Sequence, residues 1–234
     1  MIYIDGETMN IEKLEEVGRH NAQVAFSDDA KAKIDKCRGV VEEMVKSGKA
    51  IYGVTTGIGE FARIRVSPEE GAALQKNIIY SHAAGTGDPL PHDVVRGAMA
   101  LRANVLARGN SGVRYSTAEI FAKMLNAGVT PYVYEKGSLG TSGDLSPLAQ
   151  LAEVCIGEGK AYYKGELLDG AVAMKRAGIP PVQLTYKEGL GLINGSQMVT
   201  SGASLHLVDA RRLLKNAFIA SAMTIDALKG VPGA

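Results

Sequence analysis

Three consecutive residues, Thr141, Ser142 and Gly143, can react with one another. The amide nitrogen of Gly143 can add to the carbonyl carbon of Thr141 and close a five-membered ring. Loss of water then gives an imidazolone. Loss of the Ser142 hydroxyl leaves an exocyclic methylidene, so the product is 4-methylidene-imidazol-5-one, made without an external cofactor. Natural side chains supply nucleophiles and acids but no strong electrophile. A chain that builds one is expected to use it on an amine. Glycine at the third position has a physical reason, because its nitrogen must come very close to a carbonyl and a Cβ would obstruct that. Thr141 contributes only its carbonyl. Taken as a bare triplet, the same residues make an ordinary Gly/Ser turn before a helix.

Other residues need the same weighing. Tyr52 reads as a half-buried strand aromatic or as a base. His82 reads as a helix-end histidine with one hydrogen bond or as a pocket residue. Asn194, between Ile193 and Gly195, reads as a helix-capping amide or as a ligand for a carboxylate. Four segments in order decide among these readings. They are Tyr52-Gly53-Val54-Thr55-Thr56-Gly57-Ile58-Gly59, Ser81-His82-Ala83-Ala84-Gly85, Ser138-Leu139-Gly140-Thr141-Ser142-Gly143-Asp144-Leu145-Ser146-Pro147-Leu148-Ala149, and Lys187-Glu188-Gly189-Leu190-Gly191-Leu192-Ile193-Asn194-Gly195-Ser196-Gln197. Together they resemble the aromatic amino-acid ammonia-lyases and aminomutases, over essentially the whole chain.

That resemblance implies roles. Thr141, Ser142 and Gly143 would form the methylidene-imidazolone. The substrate's α-amine would add to its methylidene carbon, and Tyr52 would remove the β-proton. A base at that position needs phenolate character near neutral pH, against an ordinary phenol value of about 10. His82 would contact the substrate side chain or assist at the ring. Asn194 would bind the substrate carboxylate or the prosthetic group, with Ser81 and Gly59 as further substrate-binding positions. Asp144 is either a first-turn helix acid or an aid to the dehydrations. Thr55 would shape the loop that carries Tyr52. Ser81-His82 favours histidine as substrate, giving urocanate. Bacterial tyrosine aminomutases share the Ser-His pair, and Thr55 and Glu60 lean toward tyrosine or the aminomutases, so a tyrosine/phenylalanine ammonia-lyase or 2,3-aminomutase with the same chemistry is the alternative. Thr141 departs from the alanine commonest in the family, without loss to the ring chemistry.

Family members are about twice as long, so the resemblance implies the N-terminal half of a homotetrameric enzyme whose other half completes the pocket. With no signal-peptide pattern and no membrane-length run, a cytoplasmic protein is the expectation. A second reading makes the chain a catalytically incompetent assembly unit. The implied fold is mainly α, with a small N-terminal α/β portion leading into a long-helix bundle. Residues 1–195 would form the domain with the prosthetic loop, and 196–234 the start of the central bundle.

The elements that must position these residues are legible. Met1 to Asp5 alternates as a strand, and a helix follows from Ile11 to Arg19. Ser27 caps a helix with Asp28 and Asp29 in its first turn and Gly48 beyond its end. Ala50 to Val54 reads as a strand. Ser67-Pro68-Glu69-Glu70 opens a helix that delivers Ser81 and His82 at its end. Helices follow from His92 to Ala107, from Ser116 to Gly128, and from Asp144 to Ile156. A hairpin turns at Lys164-Gly165, and a short helix covers Asp169 to Ala177. Thr185-Tyr186-Lys187-Glu188 reads as a capping box. Ser196 to Lys229 is one helix, apolar over most of its circumference, which requires burial among other helices.

Composition excludes several classes. Among 234 residues, Lys+Arg 26 nearly balances Asp+Glu 25, and aromatics are only 6%, so neither a nucleic-acid platform nor an anionic membrane is favoured. Cys37 and Cys155 read as buried free thiols, with no metal-ligand spacing. The N-terminus lacks a signal-peptide pattern, and no run is long enough to span a membrane. Gly57-Ile58-Gly59-Glu60-Phe61-Ala62 fits a dinucleotide fingerprint only as a short pattern, because no βαβ alternation surrounds it.

Overall fold

A computed structural model describes residues 1–57, 66, 68–140, 143–231 and 233. The fold is mainly helical, with three small sheets at its edges. At the N-terminus, β1 (Ile2–Ile4) pairs in parallel with β2 (Val24–Phe26), with α1 (Ile11–Arg19) as the crossover. Asn10 starts α1 by accepting from the Lys13 amide, and Leu14 and Val17 turn inward. Ser27 starts α2 (Asp28–Lys46) by accepting from the Ala30 amide at 3.2 Å. Both starts satisfy helix donors that would otherwise have no partner.

Helix α4 (His92–Ala107) is the centre of the fold. Val95, Ala98, Met99, Ala103 and Leu106 are all fully buried, and the helix packs against α1, α5 (Tyr115–Ala127) and α9 (Gln197–Ala227). Its small residues let neighbours come close, and Ser201 of α9 donates to the Val94 carbonyl at 2.7 Å. Around α4 lie Phe121 and Met124 of α5, Leu148 and Leu151 of α6 (Leu145–Cys155), and Leu192 of α8 (Glu188–Ile193). Packing of this density makes each of these side chains felt when truncated.

Two further sheets tie loops to this core. β3 (Thr86–Pro89) pairs antiparallel with β5 (Tyr134–Lys136). β4 (Thr130–Pro131) pairs with β6 (Lys160–Tyr163), which continues into β7 (Glu166–Asp169) through the Lys164-Gly165 turn. Helices α3 (Pro68–His82) and α7 (Gly170–Arg176) complete the described elements.

Several expectations require correction. Ala50 to Val54 is not a strand: residues 52–55 form a turn, because the Val54 and Thr55 amides both donate to the Ile51 carbonyl. Strands β2 and β3, three and four residues long, carried no pattern long enough to read. α5 begins at Tyr115 with Arg114 at its N-cap, so Ser116 lies inside the helix. Ser67, expected as the α3 cap, lies outside the described residues. The α8 start is also different, since Lys187 takes the N-cap position with φ of 70° and its side chain does not cap. Both cysteines are free, but only Cys155 is buried, and Cys37 is half-buried. No described helix is long and apolar enough to cross a membrane.

Helix α9 meets its expectation in part. Met198, Ser201, Leu205 and Val208 are buried against the body. Beyond them Leu213, Leu214, Phe218, Ile219 and Met223 stand exposed.

Candidate active site

Thr141, Ser142 and Gly59 lie outside the described residues, so the site is built from what surrounds them. Gly143 takes φ of 150°, a backbone region that side chains rarely adopt. A Cβ there would lie 2.9 Å from the Gly195 nitrogen and 3.2 Å from Asn194 Oδ1. The third residue of the triplet is thus pressed against the junction between α8 and α9. The next residue locks the same contact, since the Asp144 amide donates to the Gly195 carbonyl at 2.6 Å.

Asp144 is fully buried. Its backbone starts α6, accepting from the Leu148 amide at 3.0 Å, but its side chain does not cap that helix. Oδ2 instead accepts from the Val199 amide at 2.9 Å, in the first turn of α9. Oδ1 accepts from Ser138 Oγ at 2.6 Å, and Ser138 Oγ in turn accepts from the Gly140 amide at 3.2 Å. One carboxylate therefore joins the lead-in to the triplet, the start of α6 and the start of α9. A buried carboxylate is tolerated because donors surround it.

Asn194 ends α8 as its C-cap, its amide donating to the Leu190 carbonyl at 3.1 Å. The capping role and the proximity of Oδ1 to Gly143 coexist at one residue. Gly195 has its own reason for lacking a side chain. A Cβ there would lie 2.8 Å from Arg102 Nη1.

Ser81 and His82 close α3. His82 Nδ1 lies 2.8 Å from the Ile78 carbonyl, which can only accept, so the network assigns the proton to Nδ1 and leaves Nε2 as the acceptor. Ser81 Oγ donates to the same carbonyl at 3.0 Å. The β3–β5 ladder connects this pair to the triplet. Its strand β3 begins four residues after His82, and β5 ends five residues before Thr141, with Thr86 opposite Lys136. Gln150 of α6 reinforces the ladder by accepting from the Tyr134 amide at 2.8 Å.

Tyr52 is 58% exposed on its turn. Thr55 holds that turn with both capacities of its hydroxyl, accepting from the Ile51 amide at 2.8 Å and donating to the Lys49 carbonyl at 2.6 Å. The structure thus packs Gly143 against Asn194 and Gly195, joins Asp144 to Gly195 by a hydrogen bond, and links Ser81 and His82 to this cluster through a ladder. Tyr52 it presents as an exposed phenol on a turn organised by Thr55. No group of three or more potential metal ligands occurs among the described residues.

Sequence reading missed three residues that shape this cluster. Ser138 and Gln197 lay inside matched segments but carried no chemical signal of their own. Arg102 did carry one, a lone charge in the run Met99-Ala100-Leu101-Arg102-Ala103. It is nearly fully buried, and burial lowers its guanidinium to about 10.

The arrangement fits a methylidene-imidazolone at residues 141–143. The space a Gly143 Cβ would need is already filled by Gly195 and Asn194, and the peptide after Gly143 is pinned by a short hydrogen bond.

Comparisons with known proteins agree in one direction. The sequence profile of the aromatic amino acid lyases matches residues 9–234. Histidine ammonia-lyase of Caldanaerobacter subterraneus subsp. tengcongensis is 47% identical over 230 residues, which are 98% of this chain and 45% of that protein. The solved histidine ammonia-lyase of Trypanosoma cruzi superposes with a TM-score of 0.91 at 35% identity, covering 98% of this chain and 44% of that one. The phenylalanine aminomutase of Pantoea agglomerans gives 0.92 at 34% identity, covering 97% and 44%. The chain spans about half the length of the curated relatives it matches.

Proposed function

The chain belongs to the aromatic amino acid lyase family, and from that premise we propose that it serves the removal of ammonia from L-histidine, giving urocanate. Residues Thr141, Ser142 and Gly143 form its methylidene-imidazolone. When formed, that group supplies an electrophilic carbon for the substrate's α-amine. The remaining work falls to side chains. Tyr52 takes the β-proton on its phenol oxygen, from a turn that Thr55 keeps in shape. Asn194 holds the substrate carboxylate with its amide. His82, with Nδ1 committed to the Ile78 carbonyl, turns Nε2 to the imidazole of the substrate, beside Ser81 and Gly59. Asp144 fixes the triplet to the start of α9.

The observation that carries this reading is the contact of Gly143 and Asp144 with Asn194 and Gly195. Two segments about fifty residues apart, each singled out for the same chemistry, meet at hydrogen-bond distance. Histidine is favoured over tyrosine and phenylalanine by the Ser81-His82 pair. The histidine ammonia-lyases found among curated relatives, 43% to 48% identical, support the same choice. Structural neighbours that are tyrosine aminomutases, at 38% identity, favour a second reading in which the amine returns to the β-carbon.

The partners of this reading are the amino acid, a second half corresponding to the rest of the relatives' length, and further copies in a homotetramer. Residues 1–195 then form the domain that carries the loop, and 196–234 begin the central bundle. The test is the mass of the peptide spanning residues 141–143. Loss of two waters, absent in Ser142→Ala, supports the electrophile, and an unmodified peptide under all conditions overturns it. Incubation with histidine and with tyrosine, scored for urocanate, coumarate and β-tyrosine, then separates the lyase from the aminomutase.

A further inference from the structure

Arg102 is a buried cation: among the described residues no carboxylate lies within ion-pair distance of it, and its Nε is buried with no hydrogen-bond partner. Its other nitrogens are all committed to one short stretch of chain. Nη1 donates to the Asn194 carbonyl at 2.6 Å and to Gln197 Oε1 at 3.1 Å, and Nη2 donates to the Gly191 carbonyl. The carbonyls of Gly191 and Asn194 are among those that α8 leaves unpaired at its C-terminal end, where a cation is favoured.

This arrangement is costly for a core residue. Arg102 sits on α4 among Met99, Ala103 and Leu106, which are fully buried, and an apolar side chain would pack there without losing hydration. The charge is directed instead at the peptide that holds the triplet. Arg102 grips the Asn194 carbonyl on one side of Gly195, while the Gly195 carbonyl receives the Asp144 amide on the other. Nη1 also occupies the space beside Gly195 that a side chain would take.

We propose that Arg102 is a positioning residue for the prosthetic-group loop, clamping the Asn194–Gly195 peptide so that it holds Gly143 and Asp144 in the geometry that closes the ring. The proposal rests on the reading of residues 141–143 given above. A planar guanidinium reaches three acceptors in fixed directions, which an ammonium cannot match. The intramolecular closure depends on exact placement, so a loosened clamp slows it steeply.

The experiment compares this chain with Arg102→Met, Arg102→Lys and Arg96→Met. Arg96 is a second buried arginine that donates to the Val17 and Leu125 carbonyls, away from the loop. Two quantities are read, the rate of two-water loss from the 141–143 peptide and hydrogen exchange at the Asp144 amide. Arg102→Met is expected to slow the dehydration about a hundredfold and to raise exchange at Asp144 about tenfold. Arg102→Lys is expected to fall between it and the parent, and Arg96→Met to match the parent in both. Should Arg102→Met not fold, the lysine variant decides: parent-like values in both readouts overturn the proposal. Equal loss in Arg96→Met also overturns it, because any buried arginine would then serve. If the parent chain loses no water at all, the prosthetic-group reading fails separately. Exchange at Asp144 then still judges the clamp, with unchanged exchange in Arg102→Met counting against it.

Discussion

The smallest change that tests the site is one methyl group. Gly143→Ala places a Cβ 2.9 Å from the Gly195 nitrogen and in a backbone region that alanine rarely adopts. The junction must move or the triplet must unwind. Two-water loss from the 141–143 peptide is therefore expected to stop, measured by mass, while the core around Phe121 and Leu148 stays folded. Tyr52→Phe asks a different question. The phenol takes no part in ring closure, so the peptide mass should match the parent, while turnover of histidine by the assembled enzyme falls about 10²- to 10⁴-fold. A Tyr52→Phe enzyme with parent turnover would remove Tyr52 from the base role. At this scale the candidate residues were legible only together. The Thr-Ser-Gly triplet, Tyr52 and Asn194 each have an ordinary reading alone, and it is the four ordered segments that single them out. The sequence singled out Asp144 but not the partner of its side chain, which caps α9 rather than α6, because Val199 is 55 positions away and no local pattern reports a long-range cap. Arg102 was visible as a misplaced charge, but its target was not.

Helix α8 depends on a buried carboxylate that the sequence reads only as half of a capping box. Glu188 does accept from the Thr185 amide at 2.8 Å, but it also accepts from the Arg114 amide and guanidinium and from Thr117 Oγ at 2.6 Å. It joins the start of α5 to the start of α8, and that is why Arg114 rather than Ser116 stands at the α5 N-cap. Burial pushes its carboxyl up, yet the hydrogen bonds from Arg114 and Thr117 outweigh burial and hold it below its ordinary value of 4.5. A carboxyl held below its unfolded value contributes stability that is fully present above that value. The contribution is lost as the pH falls below it. Glu188→Gln is therefore expected to cost on the order of 2 kcal/mol at pH 7, less than a wholly buried pair because Arg114 is a third exposed. The gap should close toward pH 3, as read from urea midpoints of both proteins at each pH. A gap independent of pH would mean that the shape of Glu188, not its charge, holds the two helices. Other elements were legible because their signals are local. Ser27, Gly48 and the Lys164-Gly165 turn announce boundaries within a few residues. The strands β2 and β3 and the 52–55 turn were not, because each is short and set by pairing with distant chain or by one threonine hydroxyl.

At the scale of the whole molecule, α9 extends roughly 46 Å at 1.5 Å per residue, and the body covers only its first third. The last tie is ionic: Arg19 meets both oxygens of Asp209 at 2.6 and 2.7 Å, and Arg212 reaches Glu15. Past that point Leu213, Leu214, Phe218 and Met223 stand exposed around much of the circumference of a helix that continues without a break to Ala227. A contiguous patch of this kind marks an interaction surface rather than a solvated face. Periodicity in the sequence reported that this helix needs partners, but it did not report how much of it the same chain would cover. That division follows from where α1 and α4 end. The chain is expected to self-associate at micromolar concentration, as measured by light scattering on a sizing column. Leu214→Glu with Phe218→Glu, one turn apart on the same face, is expected to give a monomer. The two side chains touch little of the body, so the thermal midpoint of the monomer should stay within a few degrees of the parent. A parent chain that elutes as a monomer would overturn the interface. A double variant that unfolds would mean that the exposed stretch of α9 stabilises the body itself, through a helix whose first third seats Val199 on Asp144 and so holds the reactive loop.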